Sequence, residues 1–303
     1  MKSTLDPLPG LPPEIENAAQ SGELVVFVGA GVSRLIKCPS WDEFASQVLQ
    51  QLAPKGINYY DLNQIGRIVD PKKRLSLALI VAKKTKMEID YSTIFKVPLE
   101  KDNIYSHLNS FNSSFVTTNY DKYLCPDSRQ MHPENTWRWS KREQLLGVNL
   151  DRNGNVVHLH GCVDDPSTMV ITTRDYLDHY STKEVQDFLK RLFERKTVLF
   201  LGYGLEETEV LEYILRRGEA STGGRAHFRR FILQGFFQAE KELCDLLCEF
   251  YQDSFFTDLI GFPKDYKSHA QLTEIIATWS RALRFGRMAL TDEAAALEDE
   301  ISG

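Results

Sequence analysis

The sequence lacks an excess of positive charge and a long apolar run, and each absence excludes a class of protein. The 303 residues carry a formal net charge of −6, so no overall positive field attracts nucleic acid, and we expect no direct nucleic-acid binding. No apolar run approaches the length of a membrane span, and residues 1–13 lack the apolar core of a signal peptide. The sequence therefore predicts a cytoplasmic protein that does not enter a membrane.

Paired cysteines, internal repeats and low-complexity segments are absent as well. The five cysteines are scattered along the chain, and none of them forms a C-x-x-C pair. An odd number without paired spacing argues against a disulfide framework, and a zinc site of four thiolates needs two such pairs. We therefore expect reduced cysteines and no bound metal.

Apolar strands alternate with helical segments along most of the chain. Strands are predicted at residues 24–28, 114–118, 156–160, 197–201 and 228–233, with a shorter one at 169–172. A long helix is predicted at 175–195. This alternation predicts an α/β fold, a doubly wound (Rossmann-like) parallel sheet with helices on both faces.

Residues 53–110 show no clear strand, and their apolar residues fall at mixed helical spacings. They predict short helices that form an inserted smaller helical domain. The predicted organisation is a sheet domain made of residues 1–52 and 111–240, the helical insertion at 53–110, and C-terminal helices with an acidic tail at 241–303.

Four predicted strands end in glycine or polar residues. These ends read Gly29-Ala30-Gly31, Thr118-Asn119-Tyr120-Asp121, His160-Gly161 and Gly202-Tyr203-Gly204. Parallel sheets bind ligands beyond the carboxyl ends of their strands, so we expect the four ends to converge. Taken alone, the first is an incomplete dinucleotide fingerprint with Arg34 at the third glycine position, and a tight turn without a ligand explains it equally well.

Two histidines lie two residues apart on one predicted strand and face the same side. His160 stands at the strand end, where a neutral imidazole can accept a proton near pH 7. His158 lies deeper, and we expect a hydrogen-bonded core residue there. Asn119 adds an amide that orients water without titrating. This combination of residue types is more than the turns of a purely structural sheet require.

The motifs Gly-Ala-Gly-Val-Ser, Thr-Thr-Asn-Tyr-Asp, His-Leu-His-Gly and Leu-Gly-Tyr-Gly-Leu occur in this order, and together they resemble the SIR2-like (sirtuin-related) family over about residues 12–235. The resemblance implies an NAD-binding Rossmann domain with Asn119 and His160 as the catalytic residues. It also implies a set of NAD-binding residues: Gly29, Ala30, Gly31 and Ser33 at the pyrophosphate, Asp121 in the loop after Asn119, and Gly202, Gly204 and Leu205 along the adenosine side.

Sirtuin deacylases carry a zinc module with two C-x-x-C pairs, which this chain lacks. Its Pro39-Ser40-Trp41 sequence instead resembles prokaryotic SIR2 effectors that hydrolyse NAD⁺ in defence against phage. The resemblance therefore implies an NAD⁺ glycohydrolase (NADase) that uses NAD⁺ as substrate, releases nicotinamide and ADP-ribose, and depletes cellular NAD⁺. We expect Trp41 to pack at a helix start, with closure over the nicotinamide as the alternative.

Because such an activity depletes the NAD⁺ of its own cell, it must be kept inhibited until it is needed. We expect a homo-oligomer, or an activating partner such as a HerA-type ATPase or an Argonaute-like sensor. Two other functions stay open. One is an NAD-dependent protein deacylase or ADP-ribosyltransferase, against which the missing zinc module counts, and the other is a non-catalytic module that binds NAD or ADP-ribose.

Overall fold

The sheet of this protein is seen in a computed structural model that describes residues 4–53, 58–127, 137–203, 211–212, 214–216, 229–281 and 283. Seven parallel strands form one sheet in the order β3-β4-β2-β1-β5-β6-β7. The strands are β1 (Leu24–Val28), β2 (Ser114–Thr117), β3 (Arg138–Trp139), β4 (Val156–His158), β5 (Thr197–Leu201), β6 (Arg230–Phe236) and β7 (Thr257–Pro263). The predicted doubly wound parallel sheet is confirmed.

Helices cover both faces of this sheet. They are α1 (Pro13–Gln20), α2 (Ala30–Leu35), α3 (Trp41–Leu52), α4 (Tyr59–Gly66), α5 (Pro71–Lys84), α6 (Tyr91–Ile94), α7 (Ile104–Leu108), α8 (Thr173–Ser181), α9 (Lys183–Arg195) and α10 (Lys241–Phe255). Residues 211–212, 214–216 and 271–281 are helical as well. In the described part of the chain, no helix is both long and apolar enough to cross a membrane.

Strand β1 shows why both faces are covered. All five of its side chains are buried, and they alternate between two apolar clusters. Val25 and Phe27 pack on the face that α9 covers, whereas Val26 and Val28 pack on the face of α1 and α7. A strand that is buried on both faces reads as a continuous apolar run, which is the pattern of its sequence.

The strand order reverses at β1, so that later strands are added on the other side of it. Strand β2 pairs with one edge of β1, and β5 pairs with the other edge. In a doubly wound sheet this arrangement leaves a crevice beyond the carboxyl end of the central strand, and ligands bind there. The topology therefore places any ligand site above the residues that follow β1.

The helices between β1 and β2 surround one end of this crevice. Helix α3 begins with a capping box in which Ser40 Oγ accepts the Glu43 N–H at 3.2 Å and Glu43 Oε2 accepts the Ser40 N–H at 2.7 Å. Helices α3 to α6 share an apolar cluster with Tyr120 and with residues 162–171. Residues 58–110 form helices α4 to α7 and no strand, and their division from the sheet as a separate domain stays a prediction.

The single helix predicted over residues 175–195 is wrong, because α8 and α9 are separated at Thr182. The backbone of Thr182 is extended, with ψ at 146°. Its hydroxyl donates to the His179 carbonyl at 2.7 Å, and a threonine that bonds back to a preceding carbonyl competes with helix continuation. The break lets α8 lie against the crevice while α9 packs on the sheet.

Two β-strand assignments also differ from the sequence prediction. Residues 169–172 are not a strand, although the Val170 N–H donates to the His160 carbonyl at 2.9 Å. Strand β7 was not predicted, because Asp258, Gly261 and Pro263 interrupt its apolar pattern. An edge strand tolerates such residues, since only one of its sides needs a hydrogen-bonded neighbour.

The turns after β1 and β5 touch through two glycines. The Gly31 N–H donates to the Gly202 carbonyl at 2.8 Å. A Cβ on Gly31 would lie 2.6 Å from that carbonyl oxygen, and a Cβ on Gly202 would lie 2.5 Å from the Val32 nitrogen. Gly202 also has a φ of +75°, which side chains rarely adopt.

We expect Gly202→Ala to lower the free energy of unfolding by about 2–4 kcal/mol, because the left-handed backbone and the backbone clash both oppose a methyl group. Urea unfolding followed by circular dichroism measures the change. Gly10→Ala is the matched control, since a Cβ there meets nothing within 4 Å. Equal stability of the two variants would contradict this account of the turn.

Candidate active site

A cavity of about 690 Å³ opens beyond the carboxyl ends of the central strands. Its volume lies within the range of small-molecule sites. Five of the predicted site residues line it, and they come from three different strand ends: Ala30, Ser33, Asn119, Asp121 and His160. The predicted convergence of the strand ends is therefore seen in the structure, and the ligand role of each residue stays a prediction.

The other predicted binding residues shape the cavity or lie elsewhere. Gly29, Gly31 and Gly202 do not line the cavity. Because they have no side chain, the turns that form the cavity floor can pack against each other. A Cβ on Gly29 would lie 2.7 Å from the Tyr203 ring, which does line it. Gly204 and Leu205 lie outside the described residues.

Asn119 follows β2 and is fixed by three bonds. Its backbone N–H donates to Thr117 Oγ1 at 3.0 Å, and its Nδ2 donates to the Gly29 carbonyl at 2.9 Å. Its own carbonyl contacts the ring of His158, with Nδ1 at 3.2 Å. The side-chain amide therefore holds one orientation at the cavity wall, which suits it to position a water or a hydroxyl.

Asp121 is a buried acid that other hydroxyl groups hold in place. Ser33 Oγ donates to its Oδ2 at 2.5 Å, and Tyr105 Oη donates to the same oxygen at 3.2 Å. The Tyr123 N–H donates to Oδ1 at 3.1 Å. Burial raises the pKa of Asp121, and these hydrogen bonds oppose that rise. The predicted pyrophosphate residue Ser33 is thus already engaged by a carboxyl group.

His160 lies at the cavity wall and is 1% exposed. Its Nε2 is 2.7 Å from Tyr180 Oη, and its Nδ1 is 3.5 Å from Tyr176 Oη. Burial, followed by the charges of His179 and Lys72, holds its pKa well below the usual value. The imidazole is therefore neutral at pH 7, in the form that accepts a proton.

His158 is a core residue, as the sequence predicts. It is fully buried, and its Nδ1 lies 3.2 Å from the Asn119 carbonyl. Burial lowers its pKa to about 4. It supports the backbone of Asn119 and does not line the cavity.

The sequence did not single out several of the cavity residues. Tyr176 of α8 and Lys72 of α5 both line the cavity, and only the folded chain brings them together. Trp41 does pack at the start of α3, with its ring centroid 5.9 Å from that of Tyr120. Trp41 also lines the cavity. The same side chain therefore packs in the core and forms part of the cavity wall.

Metal ligands are not grouped in the part of the chain that the structure describes. No three His, Cys, Asp or Glu side chains there are placed to hold a metal ion. Cys244 and Cys248, one turn apart on α10, are free thiols. The cavity itself is lined by amide, imidazole, carboxyl and aromatic groups.

A model of the SIR2-like domain matches residues 113–248, which run from the start of β2 into α10. This part of the chain is therefore similar to SIR2-like domains. The resemblance read from the four motifs is thereby confirmed.

Three curated proteins are similar to this chain at low identity. The "NAD(+) hydrolase ThsA" of Bacillus cereus (strain MSX-D12) is 26% identical over 210 residues, which cover 67% of this chain and 40% of that protein. "Defense-associated sirtuin 2" of Bacillus subtilis is 25% identical over 211 residues, which cover 65% of this chain and 19% of that protein. The "NAD(+) hydrolase ThsA" of Enterococcus faecium is 22% identical over 241 residues, which cover 74% of this chain and 46% of that protein. The chain therefore spans less than half the length of each of these relatives.

The buried histidines make stability fall with acid. Burial lowers the pKa of His158 and of His179 to about 4, whereas a histidine in the unfolded chain titrates near 6.5. Between these values the unfolded chain binds more protons, so the free energy of unfolding decreases as the pH falls from about 6.5 to about 4. The raised pKa of Asp121 makes the free energy of unfolding increase as the pH falls. Two histidines act against this one carboxyl group, so the net change is a decrease.

We expect the free energy of unfolding to drop by about 2 kcal/mol for each of these two histidines between pH 7.5 and pH 5. Urea unfolding at several pH values measures the slope. His179→Gln should flatten the slope by one histidine's share. An identical slope in His179→Gln and the unsubstituted chain would refute the assignment.

Proposed function

We propose that this protein is an NAD⁺ glycohydrolase that releases nicotinamide and ADP-ribose. The observation that carries the proposal is the placement of Asn119 and His160, from two neighbouring strand ends, on the wall of one cavity beyond β1. The names of two relatives, both NAD(+) hydrolases, support the same reaction. NAD⁺ enters this proposal as the substrate.

The reaction requires little more than these two side chains and water. The bond between ribose C1′ and the nicotinamide nitrogen breaks, its electron pair stays with the ring, and positive charge develops on the ribose. A water then adds its oxygen to C1′ and loses a proton. Asn119 orients the water or the ribose, and neutral His160 accepts the proton from the water or from a ribose hydroxyl.

We further propose that the enzyme acts in the cytoplasm as a regulated effector of antiphage defence that depletes cellular NAD⁺. The name of the Bacillus subtilis relative supports a role in defence, and five cysteines outside any disulfide suit a reducing compartment. Control by homo-oligomer assembly or by an activating partner, such as a HerA-type ATPase or an Argonaute-like sensor, fits an activity that is harmful to its own cell.

One observation favours a second candidate, a module that binds NAD or ADP-ribose without cleaving it. Both ring nitrogens of His160 lie near tyrosine hydroxyls. A histidine in such contacts must exchange one of them before it takes a proton from the substrate. Binding of ADP-ribose and cleavage of NAD⁺ therefore need separate measurements.

We expect purified protein to release nicotinamide from NAD⁺, and we expect Asn119→Ala and His160→Ala each to lower the rate by about 100-fold or more. Chromatography of nicotinamide and ADP-ribose measures the products, and calorimetry with ADP-ribose measures binding. Thermal unfolding shows that each variant is folded.

His107→Ala is the matched control, because this histidine of α7 pairs with Asp102 and does not line the cavity. Cleavage that survives both Asn119→Ala and His160→Ala would overturn the assignment of the site. Tight binding of ADP-ribose without any nicotinamide release, alone or as an assembled oligomer, would favour the binding module.

A further inference from the structure

Two aromatic rings at the cavity wall share one cation. Lys72 Nζ lies 5.7 Å from the ring centroid of Trp41 and 5.2 Å from that of Tyr176. The two rings are 6.4 Å apart and inclined at 55°. Both distances to the ammonium fall within the range of cation–π attraction. We call Trp41 and Tyr176 the aromatic pair.

The position of Lys72 is set by the start of α5. Asp70 caps this helix by accepting the N–H groups of Lys72 and Lys73 at 2.9 and 3.2 Å, and Pro71 occupies the first turn. Among the described residues, no carboxylate lies within ion-pair distance of the Lys72 ammonium. Asp42 of α3, which also lines the cavity, pairs with Arg74. The aromatic pair is therefore the partner of this charge.

The aromatic pair adjoins the proposed reaction centre. The Tyr176 ring lies 5.0 Å from the ring of His160, and its hydroxyl faces Nδ1. Trp41, Tyr176, Lys72 and His160 line the same cavity. A planar cation bound on the aromatic pair would thus lie beside the histidine that takes part in cleavage.

We propose that Lys72 occupies the aromatic pair as an internal competitor of the positively charged nicotinamide ring of NAD⁺, and that it must leave the pair before the ring can bind there. This inference rests on the proposed function. The nicotinamide ring of NAD⁺ is a pyridinium, which aromatic faces attract as they attract an ammonium. Substrate and Lys72 cannot hold the same space, so binding displaces the lysine into the cavity mouth.

The same chemistry accounts for release of the product. When the glycosidic bond breaks, its electron pair neutralises the pyridinium, and free nicotinamide carries no charge. The cation–π attraction is then lost, while the Lys72 ammonium keeps its charge and returns to the aromatic pair. The subsite therefore binds the substrate ring more tightly than the product ring.

The first test uses 1-methylnicotinamide, a pyridinium without ribose or phosphate, and its neutral counterpart nicotinamide. Ligand-observed NMR titration measures the affinity of each for the full chain. We expect Lys72→Met to bind 1-methylnicotinamide about 3- to 10-fold more tightly than the unsubstituted protein, because the competing charge is removed. Trp41→Leu should lose most of this affinity, and neutral nicotinamide should respond little to Lys72→Met.

Two variants act as controls for Lys72→Met. Lys72→Arg keeps a cation on the aromatic pair and should retain the weaker affinity. Lys73→Met removes the same charge one residue along α5, from an exposed side chain that does not line the cavity, and should change nothing. A gain in Lys73→Met equal to that in Lys72→Met, or an equal gain for neutral nicotinamide, would overturn the competition.

The second measurement separates this inference from the proposed function. If NAD⁺ is cleaved, Lys72→Met should lower KM for NAD⁺ by a similar factor. A rise in KM, together with weaker ADP-ribose binding, would instead make Lys72 a phosphate ligand and would overturn the inference while the NADase stands. Binding of 1-methylnicotinamide with the expected dependence on Lys72 and Trp41, but without NAD⁺ cleavage, would support the subsite and refute the enzyme.

Discussion

The backbone contact between the turns after β1 and β5 positions everything beyond the sheet. Gly31 donates to the Gly202 carbonyl, and neither residue has room for a side chain. The carbonyl of Gly29 then accepts the amide of Asn119, so the ends of β1, β2 and β5 are joined directly. Because these bonds run between backbone and one short side chain, the cavity floor has little freedom. Its catalytic candidates are therefore fixed before any ligand arrives, which is what positioning of a substrate requires.

Burial controls the electrostatics above this floor. The pKa of Asp121 is raised, and the pKa values of His158 and His160 are lowered, with burial as the largest cause in each case. A buried imidazole stays neutral because the apolar surroundings do not stabilise its charge. Two cations line the cavity within the described part of the chain: Arg34 pairs with Glu43, whereas Lys72 lies over aromatic rings. The charge of Lys72 is thus the one that a cationic ligand would encounter at the aromatic pair.

Sequence reasoning found the sheet and the polar strand ends because both follow from local pattern. Buried parallel strands read as apolar runs, and Asn119 and His160 stand directly after two of them. The break at Thr182 was missed because it depends on one hydroxyl bonding back to the His179 carbonyl. Strand β7 was missed because an edge position tolerates Pro263. Lys72 and Tyr176 carry no local signal at all, since they are about a hundred residues apart and meet only when α5 and α8 pack around the crevice.

The meeting of α5 and α8 gives the helical region a chemical role beside its structural one. Trp41 begins α3, Lys72 begins α5 and Tyr176 lies on α8, so the aromatic pair and its cation belong to three separate helices. A change in the position of α5 moves the ammonium relative to both rings. A partner or a second copy of the chain can shift that equilibrium only through a difference in its affinity for the two arrangements. Under the proposed function, control would need no remodelling of the sheet, because displacement of one lysine from two rings would open the proposed subsite beside His160.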